Sequence, residues 1–442
     1  MTKKYDVIVV GAGPAGLMVA KTASGSGLNI ALLERKTDIS KVRRTDGSTI
    51  GINEYLFWEV VKFNRKTQTF IFPVSGFSLG YDGPWNDNMY GFHIYSPSGK
   101  RFMIGDWKEL SKDPEKNSVG VRISKGRLLQ GILDDARANG VEFLPGTNVT
   151  DIKHTETGAV VTANGDEYEG RYIVAADGIN SRIVELIGLN KDRKFAGTMR
   201  DQTWLMEGVE ISESAGMIFV LTMYGRFYIL PLAEKGRFHV GTSTHDPDMD
   251  LEAKLQRFTR EDNVYSSWFK NAKRLEGGES CVVNLWQVLE KPYKDHVIMV
   301  GDAFWSQEFS ITASLCAGHK LGHILTKAFH DKTFGEEGLV PYLDWYASNC
   351  IEPRGKRDVG VGGNLWDYLN AEELDYMAAL PEKPVPHTLS FARLFGRIGG
   401  TYKELFPKIF EERPDIMEKL QKMLEDKEDI KSRVEKMGFP NR

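Results

Sequence analysis

Apolar positions along the chain form short runs that predict a parallel β-sheet. Residues 6–10, 29–33, 172–176 and 296–300 are aliphatic and often β-branched, the pattern of strands that are buried on both faces. A helix is predicted between the first two runs, from Pro14 to about Ser24. A second helix is predicted after Ser124, where apolar residues recur every three or four positions. Strands that alternate with helices in this way predict an α/β domain.

Other stretches alternate apolar and polar residues at every second position, which predicts antiparallel strands. Residues 159–175, with an Asn164-Gly165 turn, predict a small β-meander. Residues 69–102, with a turn near Ser98-Gly99, and residues 198–284 predict hairpins. The hairpins are expected to form a second sheet, inserted between segments of the first domain.

Helical periodicity appears in three further places. A helix is predicted near residues 48–60, and a long, nearly uncharged helix from about Ile311 to Phe329. Beyond Cys350 we expect amphipathic helical pieces, broken by Gly399-Gly400 and by prolines. The last, highly charged piece is interpreted as a solvated helix that caps the fold.

Length and charge narrow the class of protein. The 442 residues predict two or three domains, and a net charge of −4 argues against nucleic acid as a principal partner. No apolar run reaches membrane-spanning length, and MTKKYDVIVV leaves no room for a signal peptide before the first strand. Three cysteines without C-x-x-C spacing favour a reducing cytoplasm and are interpreted as small buried residues, although a redox role is left open.

The turn after the first strand carries the chemistry. Gly11, Gly13 and Gly16 form G-x-G-x-x-G between a strand and a helix, and Glu34 ends the next strand. These glycines permit a tight turn, close approach of a pyrophosphate and close helix packing, while the carboxylate can accept both ribose hydroxyls. A dinucleotide site is favoured over a turn without a ligand because strand, helix and acid all stand at the expected places. The motif leaves open whether the ligand is FAD or NAD.

Two adjacent arginines, Arg43 and Arg44, follow this region. Guanidinium groups bind phosphate bidentately, so the pair is a candidate for the diphosphate. A solvated loop is an equally weighted interpretation.

Three separated segments together resemble a known family. GAGPAG followed by LLER, then YIVAADGINSR and VIMVGDAF, are similar to the fingerprints of FAD-dependent flavoproteins with the glutathione-reductase fold. The branch is the one that holds aromatic hydroxylases (flavoprotein monooxygenases) and geranylgeranyl-reductase-like enzymes. The resemblance covers about residues 4–328, and the strands FYILPL and GRFHVGTS with the helical tail favour the reductase group. W-x-W-x-I-P is absent, which disfavours a flavin halogenase.

The resemblance implies FAD and a fold. We expect a Rossmann-like FAD-binding domain with a parallel sheet and β-meander, formed by residues 1–68, 103–197 and 290–335. An antiparallel-sheet substrate domain is expected over residues 69–102 and 198–289, and a C-terminal helical region over residues 336–442.

The resemblance also implies which residues hold the cofactor. The first segment would bind the ADP half, Asp302 would hold the ribityl chain, and Asp177-Gly178 would support the flavin from behind. Arg122 resembles an arginine near the diphosphate. The predicted cofactor-binding residues are Gly11, Gly13, Pro14, Ala15, Gly16, Glu34, Arg35, Arg44, Arg122, Val149, Asp177, Gly178, Gly301, Asp302 and Ser314. No catalytic residue and no metal ligand is assigned.

The loop after Asp302 departs from the family pattern. The family usually has Pro-x-x-Gly-x-Gly there, whereas this chain reads FWSQEFSITASLCAGHKLG, with Thr312 and Ser314 where glycines are expected. Either the backbone approaches the flavin less closely, or the hydroxyls themselves bond a flavin carbonyl. Trp305 and His319 are also unusual there and are candidates for shaping access to the flavin or substrate.

Two stretches of the sequence suggest metal sites, and each also has a simpler interpretation. His319 and His323 have the i, i+4 spacing of a metal pair, but Lys320 stands where a metal hydrolase has glutamate, so a helix face or a substrate pocket is favoured. Acids at positions 246, 248 and 250 suggest a calcium loop, yet Leu251 replaces its required glycine. A turn and helix N-cap is favoured for that stretch.

The predicted second sheet is rich in aromatic residues. Core packing and a substrate cavity are weighed evenly for them, because such a sheet also roofs the flavin in this architecture. The residues concerned are Trp204, Tyr224, Phe227, Tyr228 and Trp286.

These patterns lead to three functional hypotheses. The first is an FAD-dependent oxidoreductase that reduces a carbon–carbon double bond of an apolar small molecule, or runs in reverse as a dehydrogenase, by hydride transfer at the flavin. The second is an NAD(P)H-dependent aromatic hydroxylase, and the third is a flavin-binding protein without turnover. NAD(P)H and an electron-donor protein are both candidates for the electron source. No second dinucleotide motif with strand and helix context is present, so NAD(P)H, if used, would have no dedicated Rossmann domain.

Overall fold

A computed structural model describes residues 2–56, 58–304, 310–351, 368–423 and 425 of the chain. The strands of this part are β1 Lys3–Val10, β2 Ile30–Glu34, β3 Thr49–Gly51, β4 Lys62–Asn64, β5 Thr69–Phe72, β6 Phe77–Gly80, β7 Trp85–Asn86, β8 Phe92–Tyr95, β9 Arg101–Met103, β10 Gly120–Ile123, β11 Glu142–Pro145, β12 Val149–His154, β13 Ala159–Ala163, β14 Asp166–Ala175, β15 Phe195–Glu207, β16 Met217–Thr222, β17 Gly225–Pro231, β18 Arg237–Thr244, β19 Lys273–Arg274, β20 Ser280–Trp286, β21 Tyr293–Lys294 and β22 Val297–Met299. The α-helices are α1 Pro14–Ala23, α2 Trp107–Leu110, α3 Pro114–Asn117, α4 Lys125–Ala138, α5 Arg182–Leu186, α6 Leu251–Gln256, α7 Ile311–His330, α8 Val340–Tyr346, α9 Ala371–Ala379 and α10 Phe391–Glu412.

The first sheet is the predicted parallel sheet with its meander. Strands β11, β2, β1, β14 and β22 run parallel in that order, and β12 and β13 extend the first half of β14 in antiparallel fashion. Val7 of β1 pairs with Ile30 on one side and Tyr172 on the other. Asn164 and Gly165 have positive φ angles, which fits the predicted tight turn between β13 and β14.

The second sheet is antiparallel except for one pair. Its strand order is β19, β15, β18, β17, β16, β8 and β9, β20 pairs with β15 along the same edge as β19, and β8 runs parallel to β16. Two smaller sheets, β3–β10–β7 and β4–β5–β6, lie apart from it. Phe70 and Phe72 of β5 are buried in the same core as the parallel sheet. The mixed α/β fold class is confirmed, whereas the exact division into domains stays a prediction.

The long helix predicted to begin near Ile311 is confirmed as α7, which packs closely against α1. Glycines make this approach possible. A Cβ on Gly318 would lie 2.3 Å from the carbonyl oxygen of Ala15, and one on Gly322 would lie 2.7 Å from Cβ of Thr22. Both distances are too short for real Cβ contacts, so the two helices meet backbone to backbone.

The helix predicted near residues 48–60 is wrong. The segment begins as β3 and continues as a loop in which Asn53 and Trp58 have positive φ angles. The buried carboxylate of Glu59 accepts hydrogen bonds from the backbone N–H groups of Val74 (3.0 Å) and Ser75 (2.8 Å). Hydrogen bonds between this buried carboxylate and a neighbouring loop thus take the place of the backbone hydrogen bonds of the predicted helix.

The predicted breaks at Gly399-Gly400 and Pro407 are also wrong. Helix α10 runs continuously through all three positions. Its inner face is held by the burial of Leu394 and by the Tyr402 hydroxyl, which donates to the carbonyl oxygen of Met377 at 2.8 Å. Tertiary packing therefore outweighs the low helix propensity of these residues. The predicted final helix extends beyond residue 425, outside the described part.

The C-terminal helices close over one face of the second sheet. Leu394 packs in a cluster with Phe92, Met217 and Leu230 of that sheet. The carboxylate of Glu54 fixes the segment before α10, because it accepts hydrogen bonds from the backbone N–H of Leu389 and from the Thr388 hydroxyl. This closure forms one wall of the cavity that is described next.

Candidate active site

A cavity of about 530 Å³ lies at the carboxyl ends of the parallel strands. It is bordered by the residues that follow β1, β2, β14 and β22, which is where open α/β sheets bind their ligands. Its lining residues include Gly11, Ala12, Gly13, Pro14, Ala15, Glu34, Arg35, Lys36, Arg43, Arg44, Thr45, Asp46, Lys125, Asp177, Gly178, Met217, Asp302, Ser310, Ile311, Thr312, Ser314, Leu389 and Phe391.

The three motif glycines have different surroundings. Gly11 has φ +105°, and a Cβ there would lie 2.5 Å from the carbonyl oxygen of Ala176. A Cβ on Gly16 would lie 2.0 Å from the carbonyl oxygen of Gly11, so both positions need glycine for packing. Gly13 lines the cavity, and a Cβ there would meet no protein atom within 4 Å. Its missing side chain therefore keeps the mouth of α1 open for a ligand.

Glu34 presents its carboxylate to the same cavity. The side chain is only 9% exposed, and its two oxygens accept hydrogen bonds from the N–H groups of Ala12 (2.8 Å) and Lys36 (2.9 Å). Each carboxylate oxygen keeps a further lone pair, so ribose hydroxyls can still donate to it. The residue is thus held in place before any ligand binds.

Replacing Glu34 by glutamine is expected to weaken FAD binding and to lower the free energy of unfolding. The glutamine side chain has only one accepting oxygen, so its NH₂ group would face the N–H of either Ala12 or Lys36. That buried N–H would lose its acceptor, at a cost of about 1–3 kcal/mol. Calorimetric titration of the apoprotein with FAD and urea unfolding check the two effects. Unchanged values in both measurements would show that the carboxylate has neither role.

Cationic groups dominate one wall of the cavity. Arg35, Lys36, Arg43, Arg44 and Lys125 all line it. Burial is the main cause that lowers the pKa of the Lys36 ammonium. Arg43 and Arg44 lie at the cavity, and their binding of a diphosphate stays a prediction. A wall of this charge suits a diphosphate.

The N-terminus of α7 faces the cavity from the other side. Gly301, with φ +65°, turns the chain after β22, and Asp302 lines the cavity. Ser310 caps the helix by accepting the N–H of Ala313 at 3.2 Å. Two helix N-termini, those of α1 and α7, therefore present their positive ends to one cavity.

Thr312 and Ser314, which replace family glycines, are buried and line the cavity. The Thr312 hydroxyl accepts a hydrogen bond from the backbone N–H of Gly51 at 3.2 Å. This hydroxyl thus ties β3 to α7, a contact that glycine could not make. Trp305, the other unusual residue of this loop, lies outside the described residues.

Some predicted contact residues do not line the cavity. Arg122 is buried, and its Nη1 donates to the carbonyl oxygen of Gly47 at 2.5 Å, while burial lowers its pKa to about 10. It holds the loop that contains Gly47, and Gly47 itself lines the cavity. Val149 begins β12 and is buried, and Gly16 and Gly301 lie beneath the lining. Their roles as cofactor contacts stay predictions.

Asp177 lines the cavity but uses its carboxylate for the protein. One oxygen accepts from the Ser181 hydroxyl at 2.6 Å and the other from the N–H of Ile183 at 3.1 Å. Burial is the main cause that raises the pKa of this carboxyl. The residue fixes the start of α5, and Gly178 beside it lies close to the Arg44 guanidinium.

The sites considered for metals have structural explanations. His319 Nδ1 lies 3.0 Å from the Thr22 hydroxyl, and its ring packs on Phe77. Asp250 caps α6 by accepting the N–H of Ala253 at 3.0 Å, as the favoured interpretation predicts. Within the described residues, no group of three or more His, Cys, Asp or Glu side chains is placed to hold a metal ion.

The aromatic residues of the second sheet fall into two groups. Trp204 and Phe227 belong to a core on the side away from the cavity. Tyr228 packs on the opposite face, and its hydroxyl donates to Asp201 at 2.5 Å. Trp204 and Phe227 therefore have a core role, and Tyr224 packs against the same core. Tyr228 is half-buried and does not line the cavity, and the ring of Trp286 packs on Phe195.

A buried glutamate and a buried histidine lie close together without any signal in the local sequence. Glu279 and His239 are both buried, and His239 Nδ1 lies 3.7 Å from Glu279 Oε2. Burial raises the pKa of Glu279 to about 8, with a smaller contribution from the Asp46 carboxylate, and burial lowers the pKa of His239 to about 4. The two groups are therefore a neutral pair near pH 7. Only the second-sheet register brings them together, which no local pattern reveals.

This pair predicts how stability depends on pH. The Glu279 carboxyl keeps its proton in the folded state up to about pH 8 but loses it near pH 4.5 when unfolded. The His239 imidazole, whose pKa is lowered by burial, has the opposite effect below about pH 6.5, its usual pKa. The free energy of unfolding should therefore fall as pH rises from 6.5 to 8, by about 2 kcal/mol at the limiting slope for one proton. Glu279→Gln should flatten that part of the curve, as measured by urea unfolding in matched buffers. An unchanged slope would contradict the assignment.

The chain is similar to several known proteins. Family models described as FAD binding domain and FAD dependent oxidoreductase match residues 6–45 and 117–286. The chain is 26% identical over 408 residues to digeranylgeranylglycerophospholipid reductase 2 of Methanopyrus kandleri, covering 85% of this chain and 90% of that protein. It is also 26% identical to the digeranylgeranylglycerophospholipid reductase of Methanosarcina acetivorans, covering 85% of this chain and 88% of that one.

Solved structures show the same architecture. A geranylgeranyl bacteriochlorophyll reductase-like protein from Thermoplasma acidophilum has a TM-score of 0.66 and 17% identity, covering 96% of this chain and all of that one. The halogenase PltM in complex with phloroglucinol and FAD has a TM-score of 0.56 and 14% identity, covering 77% of this chain and 73% of that one. At these identities the likeness concerns the fold alone.

The comparisons confirm several predictions. The chain resembles FAD-dependent flavoproteins of the geranylgeranyl-reductase-like branch, FAD is its cofactor, and it is an FAD-dependent oxidoreductase. The residues at the cavity fit this cofactor, because an open glycine cradle, a fixed acid and a cationic wall stand together. Within the described residues, no helix is long and apolar enough to cross a membrane.

Proposed function

We propose that this FAD-dependent oxidoreductase reduces carbon–carbon double bonds in the isoprenoid chains of a lipid. The observation that carries the proposal is a single cavity that runs from the dinucleotide cradle to an apolar end. Leu56, Met217, Leu389 and Phe391 line that end, whereas the glycine motif and the cations line the other. Relatives that are named as digeranylgeranylglycerophospholipid reductases support the same substrate class.

The protein's own groups prepare the cavity for this reaction. When bound and reduced by the electron donor, the flavin would supply a hydride to one carbon of the double bond and return to oxidised FAD, while a proton would complete the other carbon. Gly13 and the N-terminus of α1 would bind the diphosphate, and Glu34 would accept hydrogen bonds from the ribose. The N-terminus of α7 favours negative charge beside it, which would assist reduction of the cofactor.

The apolar end would exclude water and hold the substrate chain. Met217 comes from the second sheet, whereas Leu389 and Phe391 come from the C-terminal segment that Glu54 fixes. Side chains of this kind offer no hydrogen bond to a polar ring substituent, but they match a branched hydrocarbon chain. An aromatic hydroxylase would need polar groups that orient a ring, so the reductase is the better fit.

The electron donor is part of the same proposal. NAD(P)H or a small electron-transfer protein would reduce the cofactor. NAD(P)H would bind only transiently, because the sequence holds no second dinucleotide motif with its strand and helix. The cytoplasmic location predicted from the cysteines stays a prediction, and so does the absence of a nucleic-acid partner.

Anaerobic single turnover tests the proposal. The FAD-loaded protein is photoreduced without oxygen and mixed with digeranylgeranylglycerophospholipid in detergent, while flavin absorbance and lipid mass are followed. We expect the flavin to reoxidise and the lipid to gain two hydrogens for each reduced bond. The fully saturated lipid is the control and should leave the flavin reduced.

The same protein then separates the alternatives. Mixing the reduced protein with air-saturated buffer should give featureless reoxidation. A transient flavin hydroperoxide spectrum, with oxygen entering an aromatic substrate, would replace the proposal with the hydroxylase. A flavin that no donor and no alkene lipid changes would indicate a binding protein and contradict it.

A further inference from the structure

Helix α10 carries a row of exposed phenylalanines. Phe395 and Phe410 are each 68% exposed, and Phe406 is 38% exposed. At 3.6 residues per turn, these three side chains lie within about 60° of one another around the helix. They stand beside the buried face formed by Leu394 and Ile409, so the apolar surface of the helix is wider than the part that packs. We call these three residues the phenylalanine row.

The charges on the helix are distributed around this row. Gly399 and Lys403 lie next to it, whereas Glu404 and Glu411 lie roughly 160° to 180° away from Phe395. The whole helix has four basic and three acidic residues, and Lys403 is the basic residue that lies beside the row. Arg393 and Arg397 lie on the far side of the helix, where they donate to backbone carbonyl groups. The row is therefore an exposed aromatic surface with one lysine at its edge.

The row is continuous with the cavity. Phe391 lines the apolar end of the cavity, and its ring lies 6.4 Å from that of Phe395. Tyr55, which is 55% exposed, stands beside the same turn, because its carbonyl oxygen accepts a hydrogen bond from Arg393 at 2.7 Å. Aromatic side chains thus lead from the cavity rim along the outside of the helix.

We propose that the phenylalanine row docks the protein on an anionic lipid bilayer, with α10 lying in the plane of the interface. Aromatic side chains suit the boundary between headgroups and acyl chains, and the single lysine beside them, Lys403, would attract anionic lipids. Glu404 and Glu411 would point away from the bilayer and remain hydrated. Docking in this orientation brings the cavity rim to the membrane. Delivery of a lipid substrate by this route rests on the proposed function, whereas docking itself does not.

Vesicle flotation of the full-length, FAD-loaded protein tests the proposal without any substrate. The vesicles contain phosphatidylcholine with 0% or about 30% phosphatidylglycerol. Each basic group near an anionic bilayer surface contributes on the order of 1 kcal/mol to binding. We expect the protein to float with anionic vesicles and less with neutral ones. Phe395→Ser combined with Phe410→Ser should reduce the bound fraction at least tenfold.

Phe195→Ser provides the matched control. Phe195 is 49% exposed on β15 in the second sheet, so its loss also removes an exposed aromatic ring, but away from α10. This variant should float like the wild type, and circular dichroism checks that both variants are folded. Equal flotation of the double variant and the wild type, or no flotation of the wild type, would overturn the proposal.

Two further measurements exclude other occupants of the same surface. Sedimentation equilibrium without vesicles should give one mass for the wild type and the double variant. A wild-type oligomer that the double variant dissociates would assign the row to contact between copies of the chain and would overturn membrane docking. Turnover of detergent-solubilised substrate should be equal in the two proteins, which separates a failure of docking from a failure of the proposed reaction.

Discussion

Gly13→Ala is expected to abolish tight FAD binding without unfolding the protein. A Cβ at this position meets no protein atom within 4 Å, so the apoprotein should keep its fold and stability. The methyl group would instead enter the cavity at the mouth of α1, where the diphosphate must approach the backbone. Overpacking a close contact costs about 1–3 kcal/mol, which corresponds to a loss of affinity of roughly 5- to 150-fold.

Fluorescence titration of the apoprotein with FAD measures this loss, and thermal unfolding of the same apoprotein checks the fold. Gly131→Ala is the control, because Gly131 is an exposed residue of α4 where a Cβ also meets open space, but outside the cavity. It should bind FAD like the wild type. If Gly13→Ala bound FAD with unchanged affinity, the glycine turn would not be the diphosphate site.

Gly318→Ala is expected to destabilise the protein by about 2–3 kcal/mol, the upper part of the range for overpacking. A Cβ at this position would lie 2.3 Å from the backbone oxygen of Ala15 and 2.8 Å from Cβ of Met18. Neither neighbour is the free end of a flexible side chain, so α7 or α1 must shift. Since both helix N-termini border the cavity, FAD affinity should fall as well.

The same change at Gly131 should have the opposite sign. Alanine in an exposed helix interior is more favourable than glycine by about 0.5–1 kcal/mol, because it restricts the unfolded chain and fills no occupied space. Urea unfolding of both variants gives the two free energies directly. A Gly318→Ala protein as stable as Gly131→Ala would show that α1 and α7 do not pack backbone to backbone.

Much of the dinucleotide site could be predicted from the sequence because its determinants are local. A turn that needs positive φ at Gly11 and an acid at the end of the next strand, Glu34, both leave a mark within a few residues. The cavity lining contains both of these positions. The same holds for α7, whose length and apolar character are visible without any tertiary contact.

The parts that could not be predicted depend on distant partners. Periodicity near residues 48–60 predicted a helix, whereas the buried Glu59 carboxylate fixes a loop through hydrogen bonds to Val74 and Ser75. Arg122 of β10 is buried and donates to the Gly47 carbonyl oxygen, a contact that the local sequence does not show, while its role near the diphosphate stays a prediction. Near residues 48–60, long-range contacts outweigh the local pattern.

The C-terminal helix shows the reverse effect. Gly399, Gly400 and Pro407 are helix-breaking residues, but α10 continues through them because its inner face packs against the second sheet. The exposed phenylalanines of this helix could be read from the sequence only as members of an amphipathic pattern. Which of them face solvent depends on which side of α10 packs against the protein, and the sequence alone does not show that side.

The closing of the cavity by α10 has a consequence for how the protein is made. The cavity wall extends from Gly11 to Phe391, so at least the first 391 residues must be synthesised before the wall is complete. The central strand β1 likewise has to wait for β14 before its second edge is paired. Non-local pairing of this kind makes folding slow. Cofactor uptake is therefore expected only after Phe391 has been synthesised, and chains truncated before α10 should be recognised by chaperones and proteases.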